Sequence, residues 1–151
     1  MTPAPTAKPR VFVDADVLFA GAAAPGEHGA SLVILRMAEI TLLDAVTSEQ
    51  VIAEIERNLA AKLPAALPAL RLLVSRTLRI TANPQPADLT AYNGLADPKD
   101  LPILVAALRE DCPWLVTFNL RHFAPGHPAV TVLPPGAFVL RIRHLLAQLS
   151  R

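Results

Sequence analysis

The sequence predicts an α/β domain in three layers, a mostly parallel central sheet flanked by helices. Two observations predict it. Short apolar runs that read as buried strands alternate along the chain with segments of helical period, the order that builds parallel sheets with crossover helices. The chain has 151 residues, 52% of them hydrophobic, enough for one packed core and too few for two comfortable ones.

The elements follow in order. The first ten residues, MTPAPTAKPR, lack the apolar run of a signal peptide and read as a loose tail, so the domain is expected over residues 11–151. Val11–Val13 is a short buried strand that ends at Asp14. Asp16–Ala24 is a small-residue apolar run broken by Pro25-Gly26, and Leu32–Met37 suggests a short helix. Ile40–Ala45 is a second strand candidate. Thr47, with Gln50 three residues on, matches a capping box, and the helix it starts carries Val51, Ile52, Ile55 and Leu59 on one face. Pro64 ends or kinks that helix. Ala65–Ser75 is a further helix, with Pro68 in its first turn, and Leu78–Thr81 a strand.

Asn83–Ala96 lacks periodicity and reads as a loop. Asp97 as N-cap and Pro98 at the first helical position then open a strong helix, Leu101–Glu110. Trp114–Phe118 and Val130–Leu133 complete the strands, and Pro134-Pro135 precedes a final amphipathic helix through Leu149.

Composition excludes several classes. A formal net charge of +1 forces no partner, so nucleic-acid binding would need local basic patches. A lone cysteine, Cys112, rules out a disulfide framework and fits a buried residue in a reducing compartment. No stretch approaches the ~20 apolar residues of a spanning helix. A soluble cytoplasmic protein is the expectation.

Four places could carry chemistry. The strand in VFVDADVLFAG delivers Asp14 to its C-terminal end, where open α/β sheets bind ligands, and Asp16 follows two residues later. The alternative for Asp14 is a turn aspartate bonded to its own backbone. On the helix in SEQVIAEIERNL, Glu54 and Glu56 border opposite edges of the apolar stripe, and periodicity does not choose between them. In Asp97-Pro98-Lys99-Asp100, Asp100 lies in a helical first turn, where the macrodipole favours an anion by ~0.3–1 kcal/mol. That role is compatible with holding a cation. In LVTFNLRHF an apolar strand ends at Thr117, and Asn119 offers a neutral oxygen acceptor. His122 reads either as a base or phosphate-binding group, or as an ordinary surface histidine.

Taken in order, DADVL, EIERNL, DPKDLPILVAAL and VTFNLRHF resemble the PIN-domain family, from Val11 to Leu149, and the closing VTVLPPGAFV is similar to that family's C-terminal end. The resemblance implies a PIN fold and a nuclease site using Mg²⁺ or Mn²⁺. It carries over onto Asp14, Glu54 and Asp100 as the metal-binding acids, with Asn119 at the fourth catalytic position and Asp97 and Asp16 as accessory acids. Glu56 has no counterpart, which selects Glu54. The chain departs from the family at two places. The fourth position is often aspartate, though asparagine is also common there, notably among toxin members, and those often carry a further aspartate where this chain has His122. The departure predicts weaker metal binding, or one ion where relatives hold two.

Such a site suits phosphodiester hydrolysis, because a hard divalent cation held by carboxylates offsets the charge that builds on phosphate. Lys99, Arg121 and His122 are the expected RNA contacts. The resemblance further implies an RNA substrate, a small antitoxin protein as partner, and a homodimer. Two other readings compete. DADVLF is similar to the opening of haloacid-dehalogenase-like phosphatases, with Asp14 as nucleophile, but no later paired acids follow. The fold could equally serve as an inert binding module.

Overall fold

The computed structural model describes residues 8–23 and 29–149. Five strands alternate with seven helices: β1 (Arg10–Val13), α1 (Ala15–Ala23), α2 (Gly29–Glu39), β2 (Asp44–Ser48), α3 (Glu49–Lys62), α4 (Leu67–Thr77), β3 (Leu78–Thr81), α5 (Pro86–Leu89), α6 (Leu101–Arg109), β4 (Trp114–Val116), β5 (Thr131–Leu133) and α7 (Pro135–Gln148). The strands form one sheet in the order β3-β2-β1-β4-β5, and every pairing is parallel.

This order decides the layering. The chain steps from β1 to β2 to β3 in one direction, then crosses to β4 and β5 on the other side of β1. Right-handed crossovers put α1–α4 on one face and α5 and α6 on the other. The reversal creates a crevice at the carboxyl ends of β1 and β4, where sheets of this kind bind ligands.

Apolar burial fixes the sheet between these layers. Val11, Phe12, Val13, Val46, Leu115 and Val116 are fully buried. Leu104, Ile103 and Ala107 of α6 join the same core, as do Ile34 and Leu35 of α2. Phe138 of α7 is buried and meets the Trp114 ring edge-on, with centroids 5.7 Å apart. Gly21 lets α1 lie close on α2, since a Cβ there would fall 2.7 Å from Leu35 Cδ1.

Several boundaries differ from the sequence expectation. β1 takes in Arg10, whose side chain pairs with Asp44 at 2.7 Å; most of the expected tail, residues 1–7, lies outside the described residues, as does the Pro25-Gly26 break. Asp16–Ala23 is helical, although its small residues carry no periodic signal. The strand expected at Ile40–Ala45 lies four residues later. Ile40 is exposed beyond α2, and Thr41 turns the chain with φ 65°. Polar residues occupy the true strand because they are bonded: the Thr47 hydroxyl donates to the Val13 carbonyl at 2.8 Å. The cap of α3 is therefore Ser48 rather than Thr47, its Oγ accepting from the Val51 amide at 3.4 Å, and Gln50 does not complete a box. α6 begins at Leu101 with Asp100 at the cap position, so Asp97 is not its N-cap. Residues 97–100 form a preceding turn in which the Asp97 carbonyl accepts the amides of Asp100 and Leu101. The expected loop 83–96 holds α5 and a single 3-10 turn, Thr90–Tyr92. β4 stops at Val116, two residues early. The remaining strands and helices stand within a few residues of expectation, with β3 at Leu78–Thr81.

Candidate metal centre

Asp14 reaches the crevice because the sheet carries it there. Its amide donates to the Val116 carbonyl at 3.1 Å, extending the β1–β4 ladder by one residue. The side chain turns back: Oδ1 accepts the Ala15 amide at 2.8 Å and Oδ2 accepts the Thr117 hydroxyl at 2.8 Å. Thr117 is fully buried at the end of β4, and its oxygen also accepts the Asn119 amide at 3.0 Å. One threonine thus ties the ends of two adjacent strands together.

Asp16 stands in the first turn of α1 and faces the same strand end. Its Oδ2 accepts the Phe118 amide at 2.9 Å and the Asn119 side-chain amide at 3.1 Å, and lies 3.3 Å from the Thr117 hydroxyl. Asn119 therefore holds Asp16 in place. Its amide nitrogen is committed, which leaves its carbonyl oxygen as the acceptor for a water or hydroxyl.

The remaining acids come from α3 and from the turn before α6. Glu54 interacts electrostatically with Asp14 and Asp100, and Asp16 feels Glu54 in turn. Glu56 faces away, accepting Arg71 Nε at 2.9 Å, so the helix separates the two glutamates that periodicity left open. The 97–100 turn is fastened twice. The Gln50 side chain donates to the Lys99 carbonyl at 2.9 Å, and the Asp97 amide donates to the His122 carbonyl at 2.8 Å. Asp100, 8% exposed, brings its Oδ2 within 3.2 Å of His122 Nδ1.

The electrostatics are those of acids crowded together out of water. Burial, the charge of Asp16 and, more weakly, that of Asp100 push Asp14 up from 3.8 to about 6, against the bonds from Thr117 and Ala15. Burial likewise raises Asp16, the Phe118 amide opposing it. Glu54 is raised by burial, then by Asp14 and Asp100, with Lys99 and Arg57 opposing. Asp100 is raised by burial, with Lys99 and His122 opposing. Without a counter-cation this arrangement costs free energy.

The chemistry of the donors, carboxylates gathered out of water, suits a divalent cation. Among the described residues three buried side-chain polar atoms lack a hydrogen-bond partner, and two of them are Asp16 Oδ1 and Asp100 Oδ2. An orphaned buried acceptor costs ~1–3 kcal/mol, and carboxylate oxygens are the donors that hard cations prefer. A cavity of about 530 Å³ lined by Phe118, Asn119, Leu120, Arg121 and His122 opens beside this cluster. A second concavity, about 350 Å³ and lined by Leu43, Ile142 and Leu145 among others, adjoins the residues that lead into β1 and β2, at the other end of the sheet from the acids.

Asp14, Glu54 and Asp100 are near enough to feel one another's charge, but among the described residues the side chains whose ligand atoms lie within 4.8 Å of one another are Asp97, Asp100 and His122; Asp16 and Asn119 bond to each other beside Asp14. Lys99 is exposed at the rim. Two contributions were not anticipated: Thr117 ties Asp14 to the end of β4, and Gln50 anchors the Lys99 turn. Nothing local marks Thr117 or Gln50 for these roles. Asp16, expected as an accessory acid, is bonded to the same strand end.

A family model described as PIN domain matches residues 10–121, well over half of the chain. No curated protein matches it. A solved structure, VapBC2 from Rickettsia felis bound to a DNA fragment from their promoter, aligns over 82% of this chain and 98% of the matched chain, with TM-score 0.58 and 15% identity. At that identity the likeness shows the fold. The match is to the PIN family and not to the phosphatases that the DADVLF opening also resembles. The fold, the sheet order and the family model agree: the chain belongs to the PIN-domain family.

Proposed function

We propose that this chain is an endoribonuclease dependent on Mg²⁺ or Mn²⁺, acting as the toxin of a toxin–antitoxin pair. The observation that carries the reading is the gathering of four acids, Asp14, Asp16, Glu54 and Asp100, near the carboxyl ends of β1 and β4, each with its protonation raised by burial. PIN domains are generally nucleases, and the fold is shared with a VapBC toxin–antitoxin complex, which supports a small antitoxin as partner. A cytoplasmic homodimer is part of the proposal. No described helix is long and apolar enough to cross a membrane.

Asp14, Glu54 and Asp100 would hold the cation, with Asp16 beside them. When bound, the ion offsets charge on the phosphate and makes a water more acidic. Thr117 keeps Asp14 oriented toward the crevice, and Asn119 keeps Asp16 there. The carbonyl oxygen of Asn119 accepts from the attacking water. Lys99 and Arg121, exposed at the mouth, meet phosphates on either side of the scissile bond. The open cavity beside Asn119 suits an unpaired strand, whose bases can splay, better than a rigid duplex.

The test is cleavage of a labelled single-stranded RNA by the purified protein with Mn²⁺, with Mg²⁺, or with a chelator. Cleavage that needs the cation and disappears in Asp14→Asn and Asp100→Asn supports the reading. Full cleavage in chelator, or by Asp14→Asn, contradicts it. Metal binding without any cleavage would favour the inert module.

A further inference from the structure

We propose that Asp97, Asp100 and His122 form a cation site with a nitrogen ligand, selective for a first-row transition ion such as Mn²⁺ over Mg²⁺. This deepens the nuclease reading, with which it shares Asp100, but does not require that RNA be cleaved.

The three side chains each offer one ligand atom, and these atoms lie within 4.8 Å of one another; they are the one such group among the described residues. Asp100 Oδ2 and His122 Nδ1 are 3.2 Å apart, yet Oδ2 receives no hydrogen bond. The two atoms are close enough to serve as neighbouring ligands of one cation. Ligands at about 2.1 Å from an octahedral ion stand about 3 Å apart along an edge, close to the separation found here.

The frame is built before any ion arrives. The Asp97 amide donates to the His122 carbonyl at 2.8 Å, which locks the two loops that supply the ligands. A second backbone bond, Gly126 to the Leu95 carbonyl at 2.8 Å, repeats the clamp one step outward. Asp100 is 8% exposed and its orphaned Oδ2 is turned into the group. A cation would bind both this oxygen and the His122 ring that stands 3.2 Å from it.

The nitrogen sets the selectivity. Mg²⁺ prefers all-oxygen shells and dehydrates reluctantly, whereas imidazole suits the later divalent ions. His122 is thereby moved from the phosphate-binding rim into the ligand set.

Pulsed electron paramagnetic resonance of the full chain loaded with Mn²⁺, together with calorimetric titration by Mn²⁺ and by Mg²⁺, tests this. The expected result is a ¹⁴N coupling from a coordinated imidazole in the wild type. It persists in Asp14→Asn and vanishes in His122→Gln. Mn²⁺ affinity falls by at least about tenfold in His122→Gln and in Asp97→Asn, while Mg²⁺ affinity is unchanged in His122→Gln. His122 is partly exposed, so the folded state tolerates the change, which circular dichroism verifies. Absence of the coupling in the wild type, or its survival in His122→Gln, overturns the site. RNA cleavage with Mn²⁺ but no ¹⁴N coupling would leave the nuclease reading standing and sink this one; the coupling without cleavage would do the reverse.

Discussion

Replacing Asp14 by asparagine should stabilise the metal-free protein near neutral pH while removing an acid the site is built around. Asp14 is 6% exposed, and its carboxyl is pushed up from 3.8 to about 6. A group whose folded pKa is raised contributes stability that is complete below its unfolded value and lost as pH rises through its folded value. At about pH 7.5 the ionised carboxylate therefore sits at a disadvantage. With ~1.4 kcal/mol for each tenfold change in proton affinity, the rise amounts to about 3 kcal/mol. The amide keeps most of the bonds. Its oxygen still accepts the Ala15 amide, and the Thr117 hydroxyl can turn toward Asp16 Oδ2, 3.3 Å away. The net gain is then about 1–3 kcal/mol, which for a chain of this size raises Tm by roughly 2–4 °C per kcal/mol. Thermal denaturation followed by circular dichroism in chelator, at about pH 7.5 and about pH 4, reads it. The gain should be present at the higher pH and small at the lower, where the wild-type carboxyl is already protonated. A variant less stable than the wild type at about pH 7.5, or a gain of equal size at both pH values, would refute the reasoning.

Two further predictions concern buried groups. Thr117→Val keeps the shape but strands Asp14 Oδ2 and the Asn119 amide, so urea denaturation near neutral pH should show a loss of about 2–4 kcal/mol, shrinking as Asp14 becomes protonated on acidification. Cys112, 2% exposed with its thiol pushed up to about 12 by burial, should resist a thiol reagent in the native state and react at once in denaturant.

The path to the crevice was legible where one signal dominated. Val11–Val13 is so apolar that it could only be buried, and its end at Asp14 located the site's first acid. β3 was legible although half of it is exposed, because Pro and polar residues bracket it. Where local rules failed, a tertiary bond had overruled them. Ile40 looks like a strand residue yet is 68% exposed, while polar Asp44, Thr47 and Ser48 occupy the strand because Arg10, the Val13 carbonyl and the Val51 amide satisfy them. The same bonds moved the start of α3 by one residue. At the site, Asp14, Glu54 and Asp100 were reachable from motif order, but the cross-strand role of Thr117 was not. A threonine at a strand end gives no local hint that an aspartate 103 positions earlier accepts its hydrogen bond. The division of labour between Glu54 and Glu56 rests likewise on Arg71, fifteen residues downstream on another helix.

Anomalous diffraction at the manganese edge, from crystals of the full chain soaked in Mn²⁺, addresses the central claim most directly. A peak is expected in the crevice at the ends of β1 and β4, about 2.0–2.6 Å from carboxylate oxygens that include Asp100 Oδ2. A crystal in which Mn²⁺ binds elsewhere, or leaves Asp14, Asp16 and Asp100 untouched at saturating concentration, would contradict it.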